Sequence, residues 1–379
     1  MAPIVHSLLP YKETYTPKNA GAVALTVEGG FANSAFSNDA VIFGRQIAPP
    51  YLGATSQARY RARYQGLDTH QSWLWGKNIG LAKGYLHHIH RHGAADLLEV
   101  HGRLQVAEYI GRKRPDLNMA LYLHNDPRDM KGGKTADMRR QLLRRMSVIY
   151  CVSDYLRSCF LDGIDASDHA AEKLRVIPIS ADRMLAAPPA KDKLISIIGR
   201  MVPEKGMLEA AQALALILPK FSDWKVLFVG AQRFTDAPPS AYEAAIAKAL
   251  EPIHQQADMT GFIPRAVITD IQNRSAIILA PSQWQEPAGR VIIEALASGS
   301  ALITTRRGGI PEYAEGRAIL LEEGRADDLA AACEQLIGDH EWRQSWQHKA
   351  WSDYPFSIAN MVAKLDKARY DALGRTDDA

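Results

Sequence analysis

The chain has 379 residues, with 45 Lys+Arg against 42 Asp+Glu, 47% apolar and 8% aromatic residues, and a formal charge of +3. At roughly 100–200 residues per domain this length suits two domains, each with a sizeable core, and the near-average composition excludes long disorder, collagen-like and coiled-coil chains. No run approaches the ~20 apolar residues of a spanning helix, the start MAPIVHSLLPYKE lacks the marks of a secretion signal, and Cys151, Cys159 and Cys333 fit neither a disulfide framework nor zinc spacing, so a reduced, soluble, cytosolic protein is expected.

Short apolar runs predict strands at Pro3–Leu8, Asp39–Phe43, Leu97–Val100, Met119–Leu123, Val148–Val152 and Leu174–Pro178. Amphipathic stretches such as Trp73–Arg91 and Thr135–Met146 lie between them. Continuous apolar strands alternating with helices indicate a parallel sheet covered on both faces. The segment Ala187–Lys193, rich in proline and charge, interrupts the rhythm and reads as a linker. The alternation then restarts. Strands are predicted at Leu194–Ile198, Lys225–Val229, Asp258–Thr260, Ala276–Ala280 and Ala301–Thr304, and helices at Lys205–Leu218, Tyr242–Leu250, Val291–Ala297, Asp327–Ile337 and Phe356–Leu373. The architecture expected is α/β, with two doubly wound, Rossmann-like domains facing a cleft: 1–186, 187–355, and a final helix in 356–379 returning to the first domain.

Charge splits unevenly. Residues 1–185 carry a balance of +7 and residues 186–379 a balance of −4. A basic first half suits phosphate, a membrane surface or nucleic acid, and equally a solvated face with surplus arginine.

In open parallel sheets, ligands bind beyond the carboxyl ends of the strands, so the loops there carry the chemistry. After Leu194–Ile198 comes Gly199-Arg200-Met-Val-Pro-Glu-Lys205-Gly206, in which glycine allows close backbone turns and two cations suit a diphosphate at a helix start. A surface turn would also read this way. After Ala276–Ala280 comes Pro281-Ser282, then Glu286-Pro-Ala288-Gly289-Arg290 and a helix carrying Glu294. Carboxylates there can accept hydrogen bonds from sugar hydroxyls, while the amides of Ala288 to Arg290 face an anion. A third loop, Arg306-Arg-Gly308-Gly309-Ile-Pro311-Glu312, joins positive charge to glycine backbone.

Together these loops resemble the second domain of GT-B glycosyltransferases, specifically the large retaining group known as family 4. The family's "GR…EKG" appears as Gly199-Arg200…Glu204-Lys205-Gly206, its "G-x-x-P/S" turn as Gly261-Phe-Ile263-Pro264, and its "PS…EP-x-G…E" block as Pro281-Ser282…Glu286-Pro287-Ala-Gly289…Glu294. "EA-x-A-x-G" matches Glu294 to Gly299, and "GG-I-P-E" matches Gly308 to Glu312. In the first half, Tyr15–Gly21 resembles the glycine loop after strand one, though it reads Pro-Lys-Asn-Ala-Gly rather than a double glycine. Leu97–His101 and Met119–His124 followed by Asn-Asp126-Pro127 resemble its strand-end histidines, and Cys151-Val-Ser153-Asp-Tyr155-Leu its "V-S-x-x-L" segment.

The resemblance implies a donor nucleotide sugar on the second domain and an acceptor entering from the first. Arg200 and Lys205 would neutralise the leaving diphosphate, Glu294 would hold the ribose hydroxyls and Ile263 would offer backbone to the base. Glu286 would contact the sugar, with Ser282, Gly199, Ala288, Gly289 and Arg290 around the donor. From the first domain, Gly21 would turn its amide to the donor phosphate and His124 would approach the reacting sugar. No metal or other cofactor is expected, since two side-chain cations face the leaving group.

Other signals weigh less. Lys131-Gly-Gly-Lys134-Thr135 echoes a Walker A end but has Arg128 where the first glycine belongs. His87, His88, His90 and His92 crowd one helix end without a third metal ligand at fixed spacing. The helix Thr135–Met146 sets Met138, Leu142 and Met146 among Arg139, Arg140, Arg144 and Arg145, which suits either a helix lying on anionic lipid or one packing on the core. Arg112-Lys113-Arg114 and Arg59, Arg61 and Arg63 extend the basic half, and nucleic acid is not expected because no aromatics interleave with them. The expectation is a hexosyltransferase, free in the cytoplasm or peripheral on the inner face of the cytoplasmic membrane, that moves a sugar from a UDP- or GDP-sugar to a saccharide or lipid-linked acceptor in surface polysaccharide or lipopolysaccharide assembly. The alternatives are a non-catalytic nucleotide-sugar-binding module and a sugar-nucleotide epimerase of the same fold.

Overall fold

The apolar runs of the first half become one parallel sheet. In chain order the elements are β1 (Val5–Leu8), α1 (Ala22–Phe31), β2 (Val41–Arg45), β3 (Arg63–Leu67), α2 (Ser72–Trp75) and α3 (Lys77–His92). They continue with β4 (Leu97–His101), α4 (Leu104–Lys113), β5 (Met119–Leu123), α5 (Ala136–Arg145), β6 (Val148–Cys151), α6 (Asp154–Leu161) and β7 (Leu174–Val176). This computed structural model describes residues 3–17, 19–52, 62–69, 72–165, 169–232 and 238–375. The seven strands pair in parallel in the order β3-β2-β1-β4-β5-β6-β7, so the chain direction across the sheet reverses between β1 and β4. Strands β4, β5 and β6 are buried throughout, as helices on both faces require.

The second sheet follows the same rule. Its elements are β8 (Asp192–Ile198), α7 (Met207–Ile217), β9 (Lys225–Val229), α8 (Ala241–Leu250), β10 (Ala257–Gly261), α9 (Arg265–Arg274) and β11 (Ser275–Ala280). Then come α10 (Arg290–Ala297), β12 (Ala301–Thr305), α11 (Ile310–Ala314), β13 (Ile319–Leu321), α12 (Ala326–Gly338) and α13 (His340–Ser352). The strand order is β10-β9-β8-β11-β12-β13, all parallel, with its reversal between β8 and β11. One continuous core joins Ile195, Ile197, Leu214, Phe228, Ile277, Leu279 and Ile303 to the helices on one face.

The chain divides into unit 1, Met1–Ser180 with Ile358–Ala379, and unit 2, Ala181–Ser357. The sequence placed these divisions at 187 and 356. They shift because Ala181 is already tied into unit 2, its N–H donating to the Phe356 carbonyl at 3.1 Å and its own carbonyl accepting from Tyr354 Oη at 2.6 Å. Nor is Ala187–Lys193 wholly a linker, since Asp192 and Lys193 open β8. Lys191 is part-buried, its Nζ donating to the carbonyls of Asn273 and Ser298 at 2.8 Å each and to Ser300 Oγ at 3.1 Å. Burial pulls its ammonium down to about 7.

The last helix, α14 (Ile358–Ala372), belongs to unit 1 and packs on α1. It buries Met361, Val362, Leu365 and Ala368 and carries Arg369 to the unit's interior, where the guanidinium is 1% exposed. There it donates to both oxygens of Glu99 at 2.8 and 3.0 Å, to Asp366 at 3.0 Å and to the Gly30 carbonyl at 2.9 Å. Among the described residues, no helix is long and apolar enough to cross a membrane.

Candidate active site

The reversal between β8 and β11 opens a crevice at the carboxyl end of the unit 2 sheet. Three loops meet there. The loop after β11 hydrogen-bonds the loop after β8 through Gln283 N–H to the Glu204 carbonyl at 2.9 Å and Ser282 Oγ to the same carbonyl at 3.2 Å. On its other side it meets the loop after β12, where Gly309 N–H donates to the Glu286 carbonyl at 2.7 Å. Glycine is required at two of these contacts. Gly206 has φ +68° and a Cβ there would sit 2.0 Å from the Pro281 carbonyl oxygen; Gly308 has φ +58° and a Cβ would sit 2.2 Å from that of Glu286.

Within this seam Lys205 Nζ donates to Glu286 Oε1. Ser282 Oγ lies 3.4 Å from the same oxygen. Glu286 and Ser282 are buried, so the carboxylate anchors the ammonium of a lysine whose side chain is still 29% exposed. Arg200 stands exposed on the loop after β8, with no carboxylate partner among the described residues. Gly289 is the N-cap of helix α10, and no side chain among the described residues caps its first amides. Ala288, just before it, is buried.

Glu294 lies on α10 with both oxygens engaged. Oε1 accepts from Arg265 at 3.0 Å and faces Arg290 at 3.7 Å, and Oε2 accepts from Gln272 at 3.3 Å. Ile263, after β10, packs beside Val229 and Ile271. The fold thus gathers Gly199, Arg200, Lys205, Ser282, Glu286, Ala288 and Gly289 along the β8 and β11 loops, while Arg290 and Glu294 form an ion-paired group with Arg265.

In unit 1, His124 follows β5 and is part-buried, its Nε2 3.1 Å from Nδ1 of His101 at the end of β4. Gly21 is the residue before α1, but the start of that helix already holds a carboxylate. Glu13 Oε1 accepts from Ala24 N–H at 3.1 Å, and burial raises the Glu13 pKa against the pull of the Ala24 and Gly21 amides.

The stripe along helix α5 divides: Leu142 and Met146 are 1% exposed and face the core, whereas Met138 is 43% exposed. Arg139 is not on a lipid-facing surface. It is 3% exposed and donates to the carbonyls of Phe160, Gly133 and Asp162, so it clamps the turn after α6. Arg140 pairs with Asp137, Arg144 is exposed and the Arg145 stem lies over Gly111. Arg59 and Arg61 lie outside the described residues, as does Lys18 of the Tyr15–Gly21 loop. Among the described residues, no group of three or more His, Cys, Asp or Glu side chains could hold a metal ion.

Sequence reasoning passed over Glu13, Glu99 and Arg369. Glu13 had a signal, an acidic residue eight positions before a helix-opening glycine. Glu99 and Arg369 had none, being 270 residues apart.

Residues 181–352 match the family described as glycosyl transferases group 1. The match runs along nearly the whole of unit 2, which is thus similar to a group 1 glycosyl transferase domain. A D-inositol 3-phosphate glycosyltransferase of Corynebacterium glutamicum is 28% identical over 195 residues, which cover 49% of this chain and 45% of that enzyme. Matches to the first curated relatives span no more than two thirds of those proteins' lengths. The whole chain has the GT-B fold. Sucrose-phosphate synthase from Thermosynechococcus elongatus superposes with a TM-score of 0.77 at 15% identity, covering 98% of this chain and 99% of that one. HepE from Anabaena, crystallised with UDP and glucose, superposes at 0.74 and 17% identity, covering 97% and 99%.

Proposed function

We propose that the chain is a retaining, metal-independent family 4 glycosyltransferase that moves a hexosyl group from a UDP- or GDP-sugar to a saccharide or lipid-linked acceptor, in surface polysaccharide or lipopolysaccharide assembly. The observation that carries this reading is the Lys205–Glu286 pair at the strand-order reversal of a glycosyl transferase domain. The UDP and glucose held by HepE support a nucleotide-sugar donor.

As the bond from sugar to diphosphate breaks, negative charge grows on the leaving group and positive charge on the sugar ring. Lys205 and Arg200 neutralise the first, with the uncapped amides of α10 adding their dipole. Glu286, buried against Ser282, holds the Lys205 ammonium in place and lies where a sugar hydroxyl can donate to it. Glu294 and Ile263 take the ribose and base, Arg265 giving up part of its hold on Glu294 to the hydroxyls. His124 of unit 1 is assigned to the reacting sugar by the family resemblance alone. The acceptor attacks the face from which the diphosphate leaves, so no side chain is named as nucleophile.

Incubation with UDP-glucose, UDP-galactose and GDP-mannose in excess EDTA, followed for nucleoside diphosphate release and for the anomeric configuration of the product, tests this reading. One donor is expected to turn over with its configuration retained. Release only after metal is added back, or an inverted product, would refute it.

A further inference from the structure

Behind His124 lies a line of buried groups that the transfer chemistry above does not use. His101 is 2% exposed, and its ring stacks on Tyr122 and His124 with centroids 5.1 and 5.4 Å away. Tyr122 and His124 stack almost parallel, at 4.8 Å and 6°. His101 Nδ1 lies 3.1 Å from His124 Nε2. Its other nitrogen, Nε2, is buried without a hydrogen-bond partner among the described residues, and Glu99 Oε2 lies 4.0 Å from it. That carboxylate is held in place by two bonds from Arg369 and by Ser7 Oγ at 2.9 Å. Burial and the Arg369 guanidinium push the His101 pKa down to about 3, so its ring is neutral and carries one proton.

The position of that proton follows from electrostatics. A bare Nε2 would turn its lone pair toward a carboxylate oxygen, which is repulsive, whereas Nε2–H turns a positive hydrogen toward it. With the proton on Nε2, Nδ1 is an acceptor, and the 3.1 Å contact is a bond donated by His124 Nε2–H. We infer that His101 is a positioning residue that locks His124 in the Nε2–H tautomer with its ring fixed on Tyr122, and that Glu99, anchored by Arg369 of the C-terminal helix, sets His101 in turn. A metal-ligating histidine is oriented by its outer partner in the same physical way. The consequence for turnover rests on the reading above that His124 meets the substrate; the tautomer does not.

Long-range 1H–15N NMR of the full chain labelled with 15N-histidine tests the lock in the wild-type protein. The His124 Nδ1 resonance is expected in the unprotonated range and Nε2 in the protonated range, and the reverse assignment would overturn the inference. His101→Phe keeps the ring volume but removes the acceptor, and is expected to shift His124 away from the Nε2–H tautomer. It should also lower kcat at least tenfold while donor affinity stays within about twofold. His101→Asn, whose side-chain oxygen can take the place of Nδ1, should restore most of the kcat. An unchanged His124 tautomer in His101→Phe would overturn the lock. A changed tautomer with unchanged kcat would uphold the lock and overturn instead the placement of His124 against the substrate.

Discussion

At the scale of single residues, the proposed chemistry of unit 2 depends on where charge is held. Lys205 is anchored by a buried carboxylate, so its ammonium is preorganised rather than swept through solvent, and preorganised charge is worth more than charge recruited during reaction. Lys205→Ala is expected to lower turnover by about a hundredfold or more with little change in the melting temperature of unit 1, measured by steady-state kinetics beside calorimetry. Turnover within a few-fold of wild type would remove Lys205 from the diphosphate. Arg139 shows how a residue can be misread at this scale. Its place in an arginine-rich amphipathic helix points outward, yet three carbonyls from the loops at Gly133 and Phe160–Asp162 draw it inside. Helical periodicity describes one helix and says nothing of the carbonyls that other segments bring to it.

At the scale of elements, the strands of both sheets were readable because parallel strands buried on both faces are written as continuous apolar runs. Met119–Leu123 and Lys225–Val229 coincide with β5 and β9 to the residue. The site loops of unit 2 were readable for a related reason: glycine is required at 206 and 308, where a Cβ would come within about 2 Å of a backbone carbonyl oxygen. Strand β3, RYQGL, was missed because it is an edge strand with Arg63 and Gln65 exposed, and α13 because its tryptophans and charges show little periodicity.

Lys191 was read as linker charge, whereas it ties the ends of α9 and α10 through the carbonyls of Asn273 and Ser298. A cation at two helix C-termini complements both dipoles. Lys191→Met would leave these acceptors and Ser300 Oγ without their donor, at a cost of about 1–3 kcal/mol. Urea unfolding followed by hydrogen exchange in unit 2 measures it, and an undiminished midpoint would mean that water replaces the ammonium without loss.

At the scale of the whole molecule, the two units should respond differently to acid. In unit 1 burial lowers the pKa of His6 to about 4 and that of His101 to about 3, below the ordinary 6.5. Between 6.5 and those values the unfolded chain binds protons that the folded unit does not, so stability falls as pH drops through this window. Each histidine contributes up to about 1.4 kcal/mol per pH unit. Amides of β1 and β4 are therefore expected to exchange faster at pH 5 than global stability at pH 7 predicts, and His6→Gln should reduce the effect. Equal loss of protection in unit 2 would trace the acid sensitivity elsewhere. The link from Arg369 to Glu99 belongs to this scale too, because it makes the last helix part of unit 1 and was hidden from any local pattern.

The proposed function requires that the crevice of unit 2 hold a nucleotide sugar without metal. It is tested most directly by the thermal shift of the full chain with UDP, GDP, ADP and their sugar conjugates in EDTA. A ligand at 100 times its dissociation constant adds about 2.7 kcal/mol of stability. The prediction is a selective rise in melting temperature for UDP or GDP and its conjugate, lost in Lys205→Ala. No rise with any nucleotide, or a rise only once magnesium is supplied, would contradict it.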